Sequence, residues 1–224
     1  MKKIRINGEF ALFIALIILA IGLVFIIKAN YGMTVVQAPV FVLSIAITSI
    51  SLGTWNYIVQ GGLFILMLLI IRRFRVNYLI SFITGILYGF ILDFFVWALQ
   101  DLIANNIYMS ILFYIIGFVS ICIAVALFFS CKAPLMPYDI FIREVSKYKK
   151  INLTKFKWGF DISCIIIAII LSLTLTGKFI GIGIGTVIFA LFVSPCMTFI
   201  MKFLNKFLEF KSIFQEKLKE AKIE

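Results

Sequence analysis

The chain has 224 residues, of which 63% are hydrophobic and 14% charged, and its mean hydropathy is +1.15. A soluble domain is nearer about half apolar and about a quarter charged, so this composition excludes a water-soluble globular protein and predicts an integral membrane protein. The net charge of +11 is spread over several loops and the tail with no recognition motif, so it does not indicate nucleic-acid binding.

Six apolar runs follow one another along the chain, and each has roughly the 20 residues needed to cross about 30 Å of hydrocarbon. The first is longer than the core of a cleavable signal peptide, so it is interpreted as a retained helix. Together they predict an all-α polytopic membrane protein with one transmembrane domain over residues 1–203. The predicted spans are residues 10–28, 54–71, 78–98, 108–130, 156–175 and 179–201.

The positions of lysine and arginine predict the orientation of the chain. With the N-terminus inside, all of the 21 basic residues except Lys28 and Lys178 lie on the cytoplasmic side. The loop from Gln100 to Ile107 has no basic residue and is predicted to be external, which satisfies the positive-inside rule. The sequence therefore predicts a protein of the inner cell membrane with both termini in the cytoplasm.

The apolar stretch from Thr34 to Ile50 is predicted not to cross the bilayer. If it crossed, the basic cluster at Arg72 and everything after it would move outside, and the charge bias would be lost. Pro39 would break the start of a helix here, so the stretch is interpreted as a re-entrant or interfacial helix on the outer side.

After the last span, residues 204–224 are predicted to form a cytoplasmic amphipathic tail. Such a helix can lie in the headgroup layer and bind anionic lipid at the cytoplasmic face through its lysines. The apolar positions at helical spacing are Phe203, Phe207, Phe210, Phe214 and Leu218.

The two halves of the chain, residues 10–100 and 108–203, follow one plan when the sequence is shifted by about 101 residues. Each half has a long helix, a short segment with a proline, a helix with an aromatic and a polar residue near its start, and a helix rich in small residues. Three crossings per half reverse the orientation of the second half, so the pattern predicts a 3+3 inverted repeat, which secondary transporters use. Corresponding residues include Pro39 and Pro137, Gln60 and Asp161, Gly85 and Thr186, and Gly89 and Ala190.

Two aspartates fall within predicted spans, where an ionisable group needs a reason. Asp161 lies one turn into its helix, at a depth that mirrors Gln60 near the opposite face, and this favours paired gates or the rims of one cavity. Pairing of Asp161 with Lys155 or Lys157 at the interface is an equal alternative. Asp93 lies deeper, and a functional or inter-helix role is favoured for it.

Three glycines, Gly181, Gly183 and Gly185, are predicted to open the last helix, followed by Thr186. Closely spaced glycines permit either a tight helix crossing or an unwound stretch whose amides can bind a ligand, and packing is favoured. Pro195 is predicted to kink the same helix and is a candidate hinge.

The segment that begins at Pro137 mixes apolar residues with charges of both signs. Asp139 and Arg143 are one helical turn apart and could pair, which makes them a candidate cytoplasmic gate. A plain interfacial helix would have the same pattern, and both interpretations stay open.

The sequence predicts no catalytic residue, metal site or cofactor. There is no histidine, and the four cysteines have no CxxC spacing, so they are interpreted as apolar fillers. A lone Ser or Cys nucleophile beside an Asp stays open, but no motif supports it, and the protein is not expected to be an enzyme.

The chain resembles the YczE/YyaS/YitT type of bacterial integral membrane protein from Phe10 to about Lys202. The resemblance is carried by the proline segments, by Pro137 to Asp139, and above all by the run from Gly181 to Thr186 that leads to Ser194 and Pro195. That family commonly has Gly-Pro where this chain has Ser194-Pro195. The resemblance implies a membrane protein often suspected of transport or export, and it supplies no substrate or catalytic residue.

The leading hypothesis is a secondary transporter or exporter of a small solute, with alternating access between the two halves around a midplane cavity. No nucleotide-binding loop is present, so a gradient or a partner ATPase must drive any pumping, and proton coupling would fall to Asp93 or Asp161. The candidate substrate-binding or gating residues are Asn56, Gln60, Gly85, Asp93, Asp161, Gly181, Gly183, Gly185 and Thr186.

The alternative hypothesis is a non-catalytic membrane scaffold that recruits a cytoplasmic partner through its basic loop and tail. It predicts that basic residues between positions 132 and 157 matter and that the membrane aspartates do not. The sequence leaves the solute, its charge and the oligomeric state open, and a homodimer is compatible with it.

Overall fold

The computed structural model of the protein describes residues 4–72, 74, 76–131 and 136–211. These residues form eight α-helices and two short strands. In chain order they are β1 (Ile4–Asn7), α1 (Gly8–Ala29), α2 (Ala38–Ala46), α3 (Leu52–Ile71), α4 (Val76–Ala98), α5 (Ile107–Ser130), α6 (Pro137–Tyr148), α7 (Leu153–Leu171), α8 (Ile184–Phe207) and β2 (Leu208–Lys211).

Six of these helices are long and apolar enough to cross a membrane: α1, α3, α4, α5, α7 together with the turn that follows it, and α8. The prediction of an all-α polytopic membrane fold with six long helices is therefore confirmed. Their outward surfaces carry many exposed apolar side chains, as lipid-facing helices do; Ile65, Phe90, Ile166 and Phe199 are examples.

The last predicted span, residues 179–201, is wrong in its start, because α8 begins only at Ile184. Gly181 has a φ of +76°, a left-handed conformation that ends helical geometry at this point. The preceding loop is held by the buried Ser172, whose hydroxyl donates to the carbonyl of Lys178 and accepts from the amide of Ile180 at 2.7 Å. The glycine run therefore lies mostly before the helix.

The predicted helical tail is wrong over Leu208–Lys211, the part beyond α8 that the structure describes. Helix α8 ends at Phe207, and β2 pairs in parallel with β1, Ile4 opposite Leu208 and Asn7 opposite Lys211. Phe210 is buried beside Ala11 and Cys131 instead of facing lipid. The helical spacing of the aromatic residues predicted the wrong structure here, because β1 at the start of the chain supplies the backbone hydrogen bonds of a strand. Phe214 and Leu218 lie outside the described residues.

Helices α2 and α6 are too short to span the bilayer, with nine and 12 residues. Each begins with a proline in its first turn, Pro39 in α2 and Pro137 in α6, where the missing N–H has no helical partner to lose. The predicted non-spanning helix within Thr34–Ile50 is confirmed as α2. Because α1 and α5 cross in opposite directions, α2 and α6 enter the bundle from opposite ends.

The long helices form a chain of contacts with one break. Helices α1 and α5 pack together along the centre, α4 joins α1, α8 joins α5, and α3 packs along α4. Helix α6 packs against α3, and α2 packs against α7. Helices α7 and α8 share at most a marginal contact, although both are described along their whole length. The α3–α4 pair is thus closely packed, whereas the α7–α8 pair is not.

The α3–α4 contact depends on two glycines. A Cβ at Gly53 would collide with the carbonyl oxygen of Gly89 and lie 2.6 Å from the carboxyl carbon of Asp93. A Cβ at Gly89 would lie 2.7 Å from the carbonyl oxygen of Gly53. The two backbones therefore approach as closely as small residues allow, which is a common way to join helices in membranes.

We expect Gly53→Ala to lower the melting temperature of the detergent-solubilised protein, because overpacking at such a contact costs on the order of 1–3 kcal/mol. Gly62→Ala on the same helix is the matched control, since a methyl there meets no atom within 4 Å. The control should melt at or slightly above the wild-type temperature, because alanine favours helix over glycine. Equal melting temperatures for the two variants would contradict the close α3–α4 crossing.

Candidate functional site

The N-terminal ends of the two short helices meet inside the bundle. Gln37, the residue before α2, donates a hydrogen bond from its Nε2 to the hydroxyl of Tyr138, the second residue of α6, at 3.2 Å. Each helix runs away from this contact toward its own end of the bundle. Since the N-terminus of a helix carries a partial positive charge, two such charges face one point.

Two amide side chains of α3 complete a closed ring with Gln37 and Tyr138, and we call these four residues the polar ring. Asn56 donates from Nδ2 to Oε1 of Gln37 at 2.7 Å. Gln60, one turn further along α3, donates from Nε2 to Oδ1 of Asn56 at 2.5 Å and to the hydroxyl of Tyr138 at 3.4 Å. Asn56 and Gln60 are fully buried, and Gln37 is only 7% exposed.

One polar atom of the ring makes no hydrogen bond. The Oε1 of Gln60 is buried and has no hydrogen-bond partner among the described residues. It lies against Gly85 of α4, where any Cβ would collide with it and would also lie 3.2 Å from Cδ of Pro137. Gly85 is therefore required at this point because it leaves room for the carbonyl oxygen of Gln60.

A buried amide without a hydrogen-bond partner costs about 1–3 kcal/mol of stability. We therefore expect a membrane helix to keep such a group only where the group serves a function. The ring satisfies most of its own groups, but apolar side chains of the same shape would avoid the cost altogether. The polar ring is thus the strongest indication of function in the described part of the chain.

Sequence analysis found Asn56, Gln60 and Gly85 but missed Gln37 and Tyr138. The repeat predicted from the sequence would have indicated them, because the two residues are 101 positions apart, which is the shift that aligns the predicted halves. Each also stands just before or just after the proline that opens a short helix. Neither residue is ionisable near neutral pH, so a search for membrane charges does not reach them.

Asp93 lies apart from the polar ring, at the start of α3. Its carboxylate accepts hydrogen bonds from the hydroxyl of Ser51 at 2.5 Å and from the backbone amide of Gly53 at 2.6 Å. A carboxylate at the N-terminus of a helix stabilises it by satisfying free amides and by its charge. Asp93 therefore joins α4 to α3 next to the glycine crossing.

A second polar group, which we call the charged cluster, consists of Asp139 and Arg143 on α6 and Lys157 and Asp161 on α7. Burial raises the pKa of Asp139 from its ordinary 3.8 to about 6, the positive charges of Lys157 and Arg143 act against that rise, and the negative charge of Asp161 adds to it. Lys157 also interacts electrostatically with Asp161. Asp139 directly follows Tyr138, so the charged cluster adjoins the polar ring.

The predicted gate pair is arranged differently from the expectation. Arg143 forms an ion pair with Glu144, its Nε 3.4 Å from a carboxylate oxygen, and more than half of the Arg143 side chain is exposed. Glu144 also accepts a hydrogen bond from the hydroxyl of Tyr78 at 2.9 Å. The guanidinium of Arg143 therefore acts on Asp139 through its charge, and its ion pair is with Glu144.

The glycine run packs against the chain that follows α1. The amide of Met33 donates to the carbonyl of Gly181, and the amide of Gly185 donates to the carbonyl of Tyr31, each at 2.8 Å. The amide of Gly183 donates to the hydroxyl of Thr186 at 3.3 Å. The amides of Gly183 and Gly185 are therefore engaged within the protein. A surface pocket of about 380 Å³ lies between the two segments, away from the polar ring.

Pro195 lies inside α8, and the residue after it contacts α5. Cys196 interacts electrostatically with Cys122 on α5. The hinge role of Pro195 stays a prediction.

These features define the class: a multi-pass α-helical membrane protein in which two short re-entrant helices meet end to end at a buried polar ring. The chain belongs to the family of unknown function DUF6198, which it matches over residues 6–202. That match covers every long helix as far as the last turns of α8. Comparison with curated proteins found no match, and comparison with solved structures found none.

We expect Tyr138→Phe to destabilise the protein, because the donors of Gln37 and Gln60 lose their shared acceptor in a buried place, at about 1–3 kcal/mol. The matched control is Tyr148→Phe at the other end of α6, where the ring is 51% exposed. Thermal unfolding in detergent, followed by circular dichroism, compares the two. A Tyr138→Phe variant as stable as the control would contradict the polar ring.

The pKa of Asp139, raised to about 6, predicts a pH dependence of stability. Between its ordinary value and about pH 6 the folded protein holds a proton that the unfolded chain has lost, so the free energy of unfolding falls as pH rises through this window. Asp139→Asn should remove that part of the slope, and Asp101→Asn, on an exposed loop, should keep it. Melting temperatures in detergent from pH 4 to pH 7 measure both slopes, and parallel curves for wild type and Asp139→Asn would refute the assignment.

Proposed function

We propose that this protein is a secondary transporter of a small solute and that the polar ring is where the solute is recognised. The observation that carries the proposal is the meeting of both re-entrant helices at one buried ring of hydrogen-bonding side chains. The proposed activity makes and breaks no covalent bond in the solute.

Broken or short helices inside a membrane protein are tolerated only where protein or a polar cavity satisfies their ends. Transporters use such helix ends at the midplane because unpaired peptide groups and the helix dipole bind solute atoms there. In this chain α2 and α6 each place a helix start at the polar ring, and a scaffold that only recruits a partner has no need of either.

An inverted repeat is part of the proposal, and the helix contacts support it. The contact of α3 with α6 corresponds to that of α7 with α2, and the contact of α1 with α4 corresponds to that of α5 with α8. Two contacts have no counterpart of similar extent: the packed α3–α4 pair, which corresponds to α7–α8, and the α4–α6 contact, which corresponds to α8–α2. If the two halves exchange these arrangements, one state opens toward each side of the membrane, which is alternating access.

The orientation that we propose follows the positive-inside rule, with the protein in the inner cell membrane and both termini in the cytoplasm. In this orientation the basic tail binds anionic lipid at the cytoplasmic face. The kinship with YczE/YyaS/YitT-type proteins belongs to the same proposal. Of the two carboxylates first considered for proton coupling, Asp161 is the better candidate, because Asp93 is held by the start of α3.

The test is solute uptake by the purified protein in liposomes, screened against a broad pool of labelled small solutes under sodium, proton and potassium gradients. We expect uptake above that of protein-free liposomes, and we expect Gln60→Leu to abolish it because the variant removes the amide at the centre of the polar ring. The matched control is Gln100→Leu, which changes an exposed glutamine in a loop and should transport normally.

A pH-sensitive dye inside the same liposomes reports whether uptake carries protons, and Asp161→Asn should uncouple the two if it does. Uptake that is absent for every solute and gradient, together with a partner protein recovered through the basic residues from 132 to 157, would replace the transporter with the scaffold. Uptake that survives Gln60→Leu unchanged would move the solute site away from the polar ring.

A further inference from the structure

The polar ring has unused hydrogen-bonding groups of both kinds. A carboxamide has two N–H donors, and Gln37 and Asn56 each use one of theirs within the ring. The hydroxyl of Tyr138 accepts from Gln37 and Gln60, and no acceptor for its own proton is found among the described residues. The unused acceptor is Oε1 of Gln60, which is fully buried. A molecule that satisfies the ring must therefore both accept and donate hydrogen bonds.

The polar ring offers no counter-charge to an ion of either sign. A cation would meet the positive ends of α2 and α6, which repel it, as paired half-helices do in selective pores. An anion would find no lysine or arginine among the four residues of the ring. A buried ion without a counter-charge carries a large desolvation cost, whereas an uncharged polar molecule carries little.

We propose that the solute of this site is a small uncharged molecule with at least one hydrogen-bond acceptor and one hydrogen-bond donor, such as a simple amide, a urea or a short polyol. Its acceptor oxygen receives the free N–H and O–H groups of Gln37, Asn56 and Tyr138, and its donor satisfies Oε1 of Gln60. The inference rests on the proposed function and specifies its substrate class.

The experiment measures the entry of radiolabelled urea, acetamide, glycerol, rubidium and chloride into proteoliposomes, each against protein-free liposomes of the same lipid. We expect at least one of the three neutral probes to enter faster with the protein, and rubidium and chloride to remain at background. Gln60→Met, which keeps the length of the side chain and removes its amide, should lower neutral entry about tenfold, the effect of losing one buried hydrogen-bonding partner.

Tyr138→Phe is the second variant. It removes only one oxygen atom, and it tests the proposal if Gln60→Met does not fold. Gln100→Met is the matched control and should behave as wild type. Monodisperse elution and an unchanged helical spectrum are required of each variant before its flux is compared.

Two results would overturn the inference, and they separate it from the proposed function. Entry of rubidium or chloride with all neutral probes at background refutes the uncharged solute while the transporter stands. Background entry of all five probes refutes the inference, and the broad uptake screen then decides whether the transporter itself stands. Neutral entry that is equal in wild type and in both ring variants also refutes it, because the solute then bypasses the polar ring.

Discussion

Two short helices enter this bundle from opposite ends, and side chains at their N-terminal ends are hydrogen-bonded to each other and to α3. The hydrogen bond from Gln37 to Tyr138 joins the two helices directly, and Asn56 and Gln60 join both to a spanning helix. In hydrocarbon no water can replace these partners. The positions of α2 and α6, and with them the close contact of Gln60 with Gly85, follow from this ring of hydrogen bonds.

The close approach of α3 and α4 determines where the polar ring can form. Gly53 and Gly89 bring the two backbones together near one end, and Asp93 fixes the start of α3 by accepting from the amide of Gly53 and the hydroxyl of Ser51. Further along the same pair, Gly85 leaves room for Gln60. Helices α7 and α8 have no such close crossing, and α8 instead packs on α5, where Tyr114 donates to the carbonyl of Gly185. The proposed repeat halves therefore differ in this contact.

The polar ring and the charged cluster are neighbours in the bundle, and they differ in chemistry. The polar ring is neutral and closed on itself, while the charged cluster of Asp139, Arg143, Lys157 and Asp161 is ionisable and partly exposed. In the sequence shift of the halves, Gln60 corresponds to Asp161 and Asn56 to Lys157. One half therefore carries amides where the other carries charges, which suits recognition of a solute on one side and response to pH or ions on the other.

The sequence by itself determined the membrane class, the six long helices and the short helix after α1, because apolar length and proline position act locally along the chain. It also indicated Asn56, Gln60 and Gly85. The tertiary structure decided that Gln37 and Tyr138 join them, that Asp93 serves α3, that the glycine run precedes α8, and that Leu208–Lys211 is a strand. Apart from the glycine run, which Ser172 holds from the same segment, each of these depends on partners 40 or more residues away in the chain, which no local pattern specifies.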